Sequence, residues 1–229
     1  MSLQNYSDSL VRYADLGFSL DLSLMDIEPS FYEGMSAKID KAFADIAELE
    51  GGAIANPDEG RMVGHYWLRN AELAPTDELK AAITEPLADL KAFAAKVHSG
   101  EVAPPTGGKF EQLLLIGIGG SALGPQLVAE ALGKDADLPI YFFDNTDPAG
   151  MDEVIEEVSV GGLDKTLAMV ISKSGGTPET RNGMLEAEAA YQKAGLAFGP
   201  HAIAITGGGS KLDGFADEHQ FIAKFFQGK

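Results

Sequence analysis

Leu167-Ala168-Met169-Val170-Ile171-Ser172-Lys173-Ser174-Gly175-Gly176-Thr177-Pro178-Glu179-Thr180 is the stretch on which the fold turns. Its first five residues are apolar without a break, the signature of a strand buried on both faces. Three hydroxyl side chains, two glycines and a lysine follow, and Pro178 then stands where proline favours the first position of a helix. A strand, a small-residue turn and a helix N-terminus make an anion site, because free N–H groups point out of the helix end and its dipole favours negative charge. The hydroxyls add donors for phosphate oxygens. The turn therefore predicts a phosphorylated small-molecule ligand.

The same rhythm recurs on either side. Apolar runs at Gln112–Ile116, Leu138–Phe143 and Ala202–Ile205 join Leu167–Ile171, and helical patterns at Ala122–Leu132, Ala149–Val158 and Pro178–Ala194 separate them. Continuous apolar strands alternating with helices predict an α/β fold, a parallel sheet with helices on both faces in three layers. Ligands of such sheets bind outside the carboxyl ends of the strands. A further apolar run from Phe221 to Lys229 reads as a last strand with no return helix, a sign either of a fragment or of an edge strand.

Residues up to about Gly108 read as a helical N-terminal segment. Met35–Leu49 and Asp77–Val97 carry apolar residues at helical spacing. Thr76 is the expected N-cap of the second stretch, and Pro86 is expected to kink or split it. Gly51–Gly60 is a loop, and Val102-Ala103-Pro104-Pro105-Thr106-Gly107-Gly108 is the expected boundary. The chain thus divides into a helical part, 1–108, and an α/β domain, 109–229.

Composition removes several function classes. Among 229 residues, 45% are hydrophobic and 23% charged, as in ordinary globular proteins. Cysteine is absent, which excludes disulfides and thiolate chemistry. A net charge of −18 speaks against a nucleic-acid partner, which needs a clustered basic surface. The acidity also denies an anionic ligand long-range steering, so local N–H and hydroxyl donors must hold it. No apolar run is long enough to span a membrane, and Met1–Tyr6 lacks the blocks of a signal peptide. The expectation is a cytoplasmic protein without membrane contact.

A second turn, Gly117-Ile118-Gly119-Gly120-Ser121-Ala122-Leu123-Gly124, follows the first strand of the α/β part. Gly117, Gly119 and Ala122 fit the dinucleotide fingerprint, with Asp144 at the end of the next strand as its ribose acid, so a nicotinamide-dependent oxidoreductase stands as one reading. Ser121 at the helix start and the hydroxyl turn after the third strand favour another. One turn then holds a phosphate and the other the sugar hydroxyls. The four histidines, His65, His98, His201 and His219, lack metal-ligand spacing, so no metal is expected. His65 reads as packed or capping, and His98 and His219 as surface residues.

Ile116–Ser121, Asp144-Asn145-Thr146-Asp147-Pro148 and Ser172–Thr180 resemble, in order, the motifs of the glucose-6-phosphate isomerase family. Gly60–Arg69 and Ala204–Asp213 also resemble segments of that family. The resemblance implies a SIS-like, flavodoxin-like domain, the first of the family's two, with the second absent. It implies sugar contacts from Gly120 and Ser121 and a phosphate clamp from Ser172, Lys173, Ser174, Gly175, Gly176 and Thr177. Glu179 matches an acid beside the family's ring-opening histidine. The implied reaction interconverts glucose 6-phosphate and fructose 6-phosphate in glycolysis and gluconeogenesis, without a cofactor. The family's catalytic base, ring-opening histidine and lysine lie in the second half, and no Gly-Gly-Arg segment occurs here. The chain alone is therefore expected to be inactive, with a homodimer or the missing C-terminal half as partner. A stand-alone phosphosugar-binding module remains the alternative to an isomerase part.

Overall fold

The structure is a computed structural model that describes residues 3–25, 27–135 and 138–227. Met1 and Ser2 of the N-terminal stretch, and Gly228 and Lys229 of the last apolar run, lie outside them. The chain parts into two units between Pro75 and Thr76.

The first unit holds helix α1 (Leu3–Ser9), strands β1 (Leu10–Tyr13) and β2 (Phe18–Asp21), and helix α2 (Pro29–Glu50). The hairpin corrects the helical expectation for this stretch. β1 and β2 pair antiparallel, Leu10 opposite Asp21 and Tyr13 opposite Phe18, and the chain reverses through Ala14–Gly17. α2 opens on Pro29, the residue type whose missing N–H costs nothing at a first turn. Trp67 is buried, and its indole N–H donates to the carbonyl of Glu50 at 2.9 Å, anchoring the end of α2. His65, expected to be packed or capping, is exposed in a turn beside it.

The second unit begins with helix α3 (Asp77–Ser99), capped by the Thr76 hydroxyl, which accepts from the Leu79 N–H at 3.2 Å. α3 runs unbroken through Pro86. The proline removes the donor to the carbonyl of Ala82, and Ala82 is exposed, so water can replace the lost bond. Val97 of α3 is buried with Leu167 and Ile203 of the sheet and with Phe110, which precedes its first strand. The helix thus belongs to the sheet's unit, and residues 102–108 form a loop within that unit.

Strands β3 (Gln112–Ile116), β4 (Ile140–Phe143), β5 (Thr166–Ser172), β6 (Ala202–Thr206) and β7 (Ala223–Phe226) form one sheet in the order β4-β3-β5-β6-β7. Every pairing is parallel. The connections are α4 (Gly120–Leu132), α5 (Pro148–Gly161), α6 (Pro178–Lys193) and α7 (Lys211–Glu218). Leu114, Ile116, Ala168, Val170 and Ala204 face Met151, Met184, Tyr191 and Leu212 of α5, α6 and α7. Leu115 and Ile171 face Ala122 of α4, and Leu167 and Ile203 face α3. The predicted three layers are the ones observed.

The chain steps from β3 outward to β4, then crosses back to β5, β6 and β7. Right-handed crossovers in opposite directions place α4 on one face and the later helices on the other. The turns leaving β3 and β5 therefore diverge, and the crevice between them is the point at which such sheets bind ligands.

A buried polar clamp holds the opposite end of the sheet. The Gln112 amide donates to Val158 O at 2.6 Å and to Thr166 Oγ1 at 2.7 Å, and the Tyr191 hydroxyl donates to Thr166 O at 2.9 Å. Burial pushes the Tyr191 phenol well above its ordinary value, so it stays a neutral donor. Tyr191→Phe is expected to cost about 1 kcal/mol, one buried hydrogen bond, read as a lowered urea midpoint with an unchanged denaturant slope.

Candidate functional site

The turn after β3 lies flat against β5. Gly117 is buried, and its N–H donates to Phe143 O at 3.0 Å. A Cβ there would sit 2.9 Å from Ser121 Cβ and 3.3 Å from Ile171 O, so no larger residue fits. Gly119 then starts α4 with no side-chain cap. Gly120 is exposed and Ser121 half-buried in the first turn of that helix.

The turn after β5 is a small hydroxyl network. Ser172 Oγ lies 3.0 Å from Thr177 Oγ1, and Ser174 Oγ lies 3.4 Å from the same atom. Ser174 Oγ also accepts from the Gly176 N–H at 3.2 Å. Gly175 has φ +64°, and the place of its missing Cβ is taken by the Ser210 side chain and the Leu212 N–H. Both conditions require glycine. Thr177 occupies the N-cap of α6, yet its side chain caps no helix N–H, being held by Ser172. Donors at the start of α6 are thus left without a side-chain acceptor, as an anion site needs. Lys173 is exposed, and Glu179 lies half-buried in the first turn of α6.

Pairing sets the two turns side by side. β3 and β5 are neighbours with Ile116 opposite Val170, so Ser121 and Thr177 stand at the same rim of the sheet. A cavity of about 170 Å³ opens beside the second turn, lined by Ser172, Gly176, Thr177, Thr180, Arg181 and Lys211 among others. The Thr180 hydroxyl is buried without a partner. Sequence reasoning did not single out Thr180 or Arg181. The helical spacing that puts both beside the turn was the available signal, since they follow Thr177 within one turn of α6.

The remaining motif residues have protein partners. Asp144 Oδ2 accepts from the Gln126 amide at 2.7 Å and its Oδ1 from the Asn145 amide at 3.0 Å, which engages both oxygens of the acid that a dinucleotide ribose would need. Asp147 Oδ2 caps α5 by accepting from the Gly150 N–H at 2.9 Å. Among the histidines, His201 is buried with Nδ1 2.8 Å from Ala197 O. His219 is half-buried rather than free on the surface, stacked on Phe215 and 2.9 Å from Glu188.

A family model described as Phosphoglucose isomerase matches residues 34–227. The chain belongs to the phosphoglucose isomerase family. It is 56% identical over 223 residues to a glucose-6-phosphate isomerase of Synechococcus elongatus, and 54% identical over 223 residues to one of Geobacter sulfurreducens. Each alignment covers 97% of this chain and 42% of the relative, so the chain spans well under half of their length. The crystal structure of a glucose-6-phosphate isomerase from Chlamydia trachomatis superposes with TM-score 0.78 at 26% identity, over 98% of this chain and 43% of that one.

The turn after β6 lies at the same rim. Its Asp213 accepts from Lys224 at 2.6 Å and from the Gly209 N–H at 2.7 Å, and these bonds hold its carboxyl below the usual range. A lowered carboxyl pKa adds stability above the unfolded value of about 4 and loses it as pH falls through the folded one. Asp213→Asn is therefore expected to lower the melting temperature at pH 7, with the gap to wild type closing below about pH 4. Gly175→Ala is expected to cost about 1–3 kcal/mol through left-handed backbone strain and overlap with Leu212, read in the urea midpoint.

Proposed function

We propose that this chain is the sugar-phosphate-binding part of an aldose–ketose isomerase that interconverts glucose 6-phosphate and fructose 6-phosphate. The observation that carries the reading is the pair of turns at one rim, with the N-terminus of α6 left without a side-chain cap. In this reading the phosphate lies against Ser172, Lys173, Ser174, Gly175, Gly176 and Thr177, held by backbone N–H groups and hydroxyls. Gly120 and Ser121 take the sugar hydroxyls at the adjoining turn. Glu179, at the first turn of α6, supports the group that opens the ring.

The isomerisation moves a proton between neighbouring carbons through an enediol and needs a base, with an acid–base pair to open the ring. It is internally redox-neutral, so no hydride carrier enters its balance. The 229 residues contain no Gly-Gly-Arg segment of the kind that supports the enediol in the resembled family. This part binds and orients the substrate, and the base comes from the remaining length of such enzymes. The SIS-type domain would act in the cytoplasm, in glycolysis and gluconeogenesis, beside a second copy or that remaining length.

Fructose 6-phosphate and 6-phosphogluconate are expected to raise the melting temperature of the chain, while NAD leaves it unchanged. Saturation at one hundred times Kd corresponds to about 2.7 kcal/mol. A coupled isomerase assay on the same sample is expected to show little or no turnover. A shift with NAD alone, or turnover near that of a complete enzyme, overturns the reading.

A further inference from the structure

The Ser172–Thr177 turn presents donors to an anion only if its own carbonyl oxygens face away, since a carbonyl turned toward a phosphate repels it. Two successive carbonyls here are occupied from the end of β6 and the first residue after it. Ser172 O accepts from Thr206 Oγ1 at 2.7 Å and from the Gly175 N–H at 3.0 Å, which uses both its lone pairs. Lys173 O accepts from the Gly207 N–H at 3.0 Å.

The hydroxyl chain behind these bonds has a direction. Thr206 is fully buried, and its single proton goes to Ser172 O. Its oxygen must then accept in the 2.8 Å contact with Ser210, so Ser210 Oγ is the donor. Ser210 Oγ in turn accepts from the Asp213 N–H at 3.1 Å, at the start of α7. The Ser210 side chain also fills the space that a Cβ on Gly175 would need.

We propose that Thr206 and Ser210 are positioning residues for anion binding. They hold the carbonyl of Ser172 inward, beside the Lys173 carbonyl that the Gly207 N–H holds, so that the β5–α6 turn shows an anion only donors. This rests on the sugar-phosphate reading of that turn.

The test compares Thr206→Val, Thr206→Ser and Ser210→Ala in the full chain. Calorimetric Kd for fructose 6-phosphate and for inorganic phosphate is measured alongside amide hydrogen exchange at Gly175 and Gly176. Thr206→Val is expected to weaken both ligands about tenfold, the worth of one hydrogen bond, and to speed exchange at Gly175. Thr206→Ser restores Kd to within about twofold of wild type, because the hydroxyl returns. Folded Thr206→Val with wild-type Kd and exchange overturns the proposal. Equal losses in the Val and Ser variants overturn it too, since they point to methyl packing. If Thr206→Val does not fold, Ser210→Ala decides by the same two readouts. If wild type binds neither ligand, the sugar-phosphate reading falls. Exchange at Gly175 in the variants then still decides whether these hydroxyls shape the turn.

Discussion

β3 and β5 lie side by side in parallel, Ile116 opposite Val170, and the chain leaves them toward opposite faces of the sheet. The rest of the site depends on that divergence. It sets Gly117–Ser121 and Ser172–Thr177 at one crest, where the cavity is lined by the second turn, by Thr180 and Arg181 of α6 and by Lys211, Leu212 and Phe215 of α7. The pairing is possible because α5 spans from β4 back across β3, with Met151 and Val158 buried against the sheet core. Gln112, Thr166 and Tyr191 lock the far end of the same two strands with buried hydrogen bonds. Slippage there would shift both turns at the crest.

An anion at this crest works against the whole molecule, whose net charge is −18. Long-range attraction is absent, so recognition must come from short-range donors fixed in direction. The turn after β5 meets that demand by small-residue geometry. Gly175 allows the tight reversal, the Ser172 and Thr177 hydroxyls hold each other, and Arg181 and Lys211 put positive charge beside the same cavity. Each of these groups is local in sequence except Lys211, which the β6–α7 turn delivers.

The parallel sheet and its order of elements were legible because its strands are uninterrupted apolar runs and its helices are periodic. Gln112–Ile116 has the same bounds in sequence and structure, and Leu167–Ile171 extends by one residue at each end. Errors gathered where local signals compete with surroundings. Pro86 predicts a kink or a split, and the helix is not split, since the carbonyl it orphans belongs to an exposed residue. The hairpin at Leu10–Asp21 was missed because its two strands are only four residues each, too short for the alternation of Phe18–Asp21 to stand out. The glycines and prolines of 102–108 mark a loop in either case. Whether that loop separates units depends on Val97 and Phe110 packing together on the sheet, which no local pattern encodes.

Sequence by itself determined the strand-turn-helix units, the hydroxyls and glycines within each turn, and the excess of negative charge. These are properties of residues close together along the chain, where apolar period, turn chemistry and proline placement act directly. Only the tertiary structure decided that the two turns leave neighbouring strands, β3 beside β5. It also decided that Thr206 spends its proton on Ser172 and that Ser210 stands where Gly175 lacks a side chain. Those facts follow from strand order and register, which are set by packing both faces of the sheet at once.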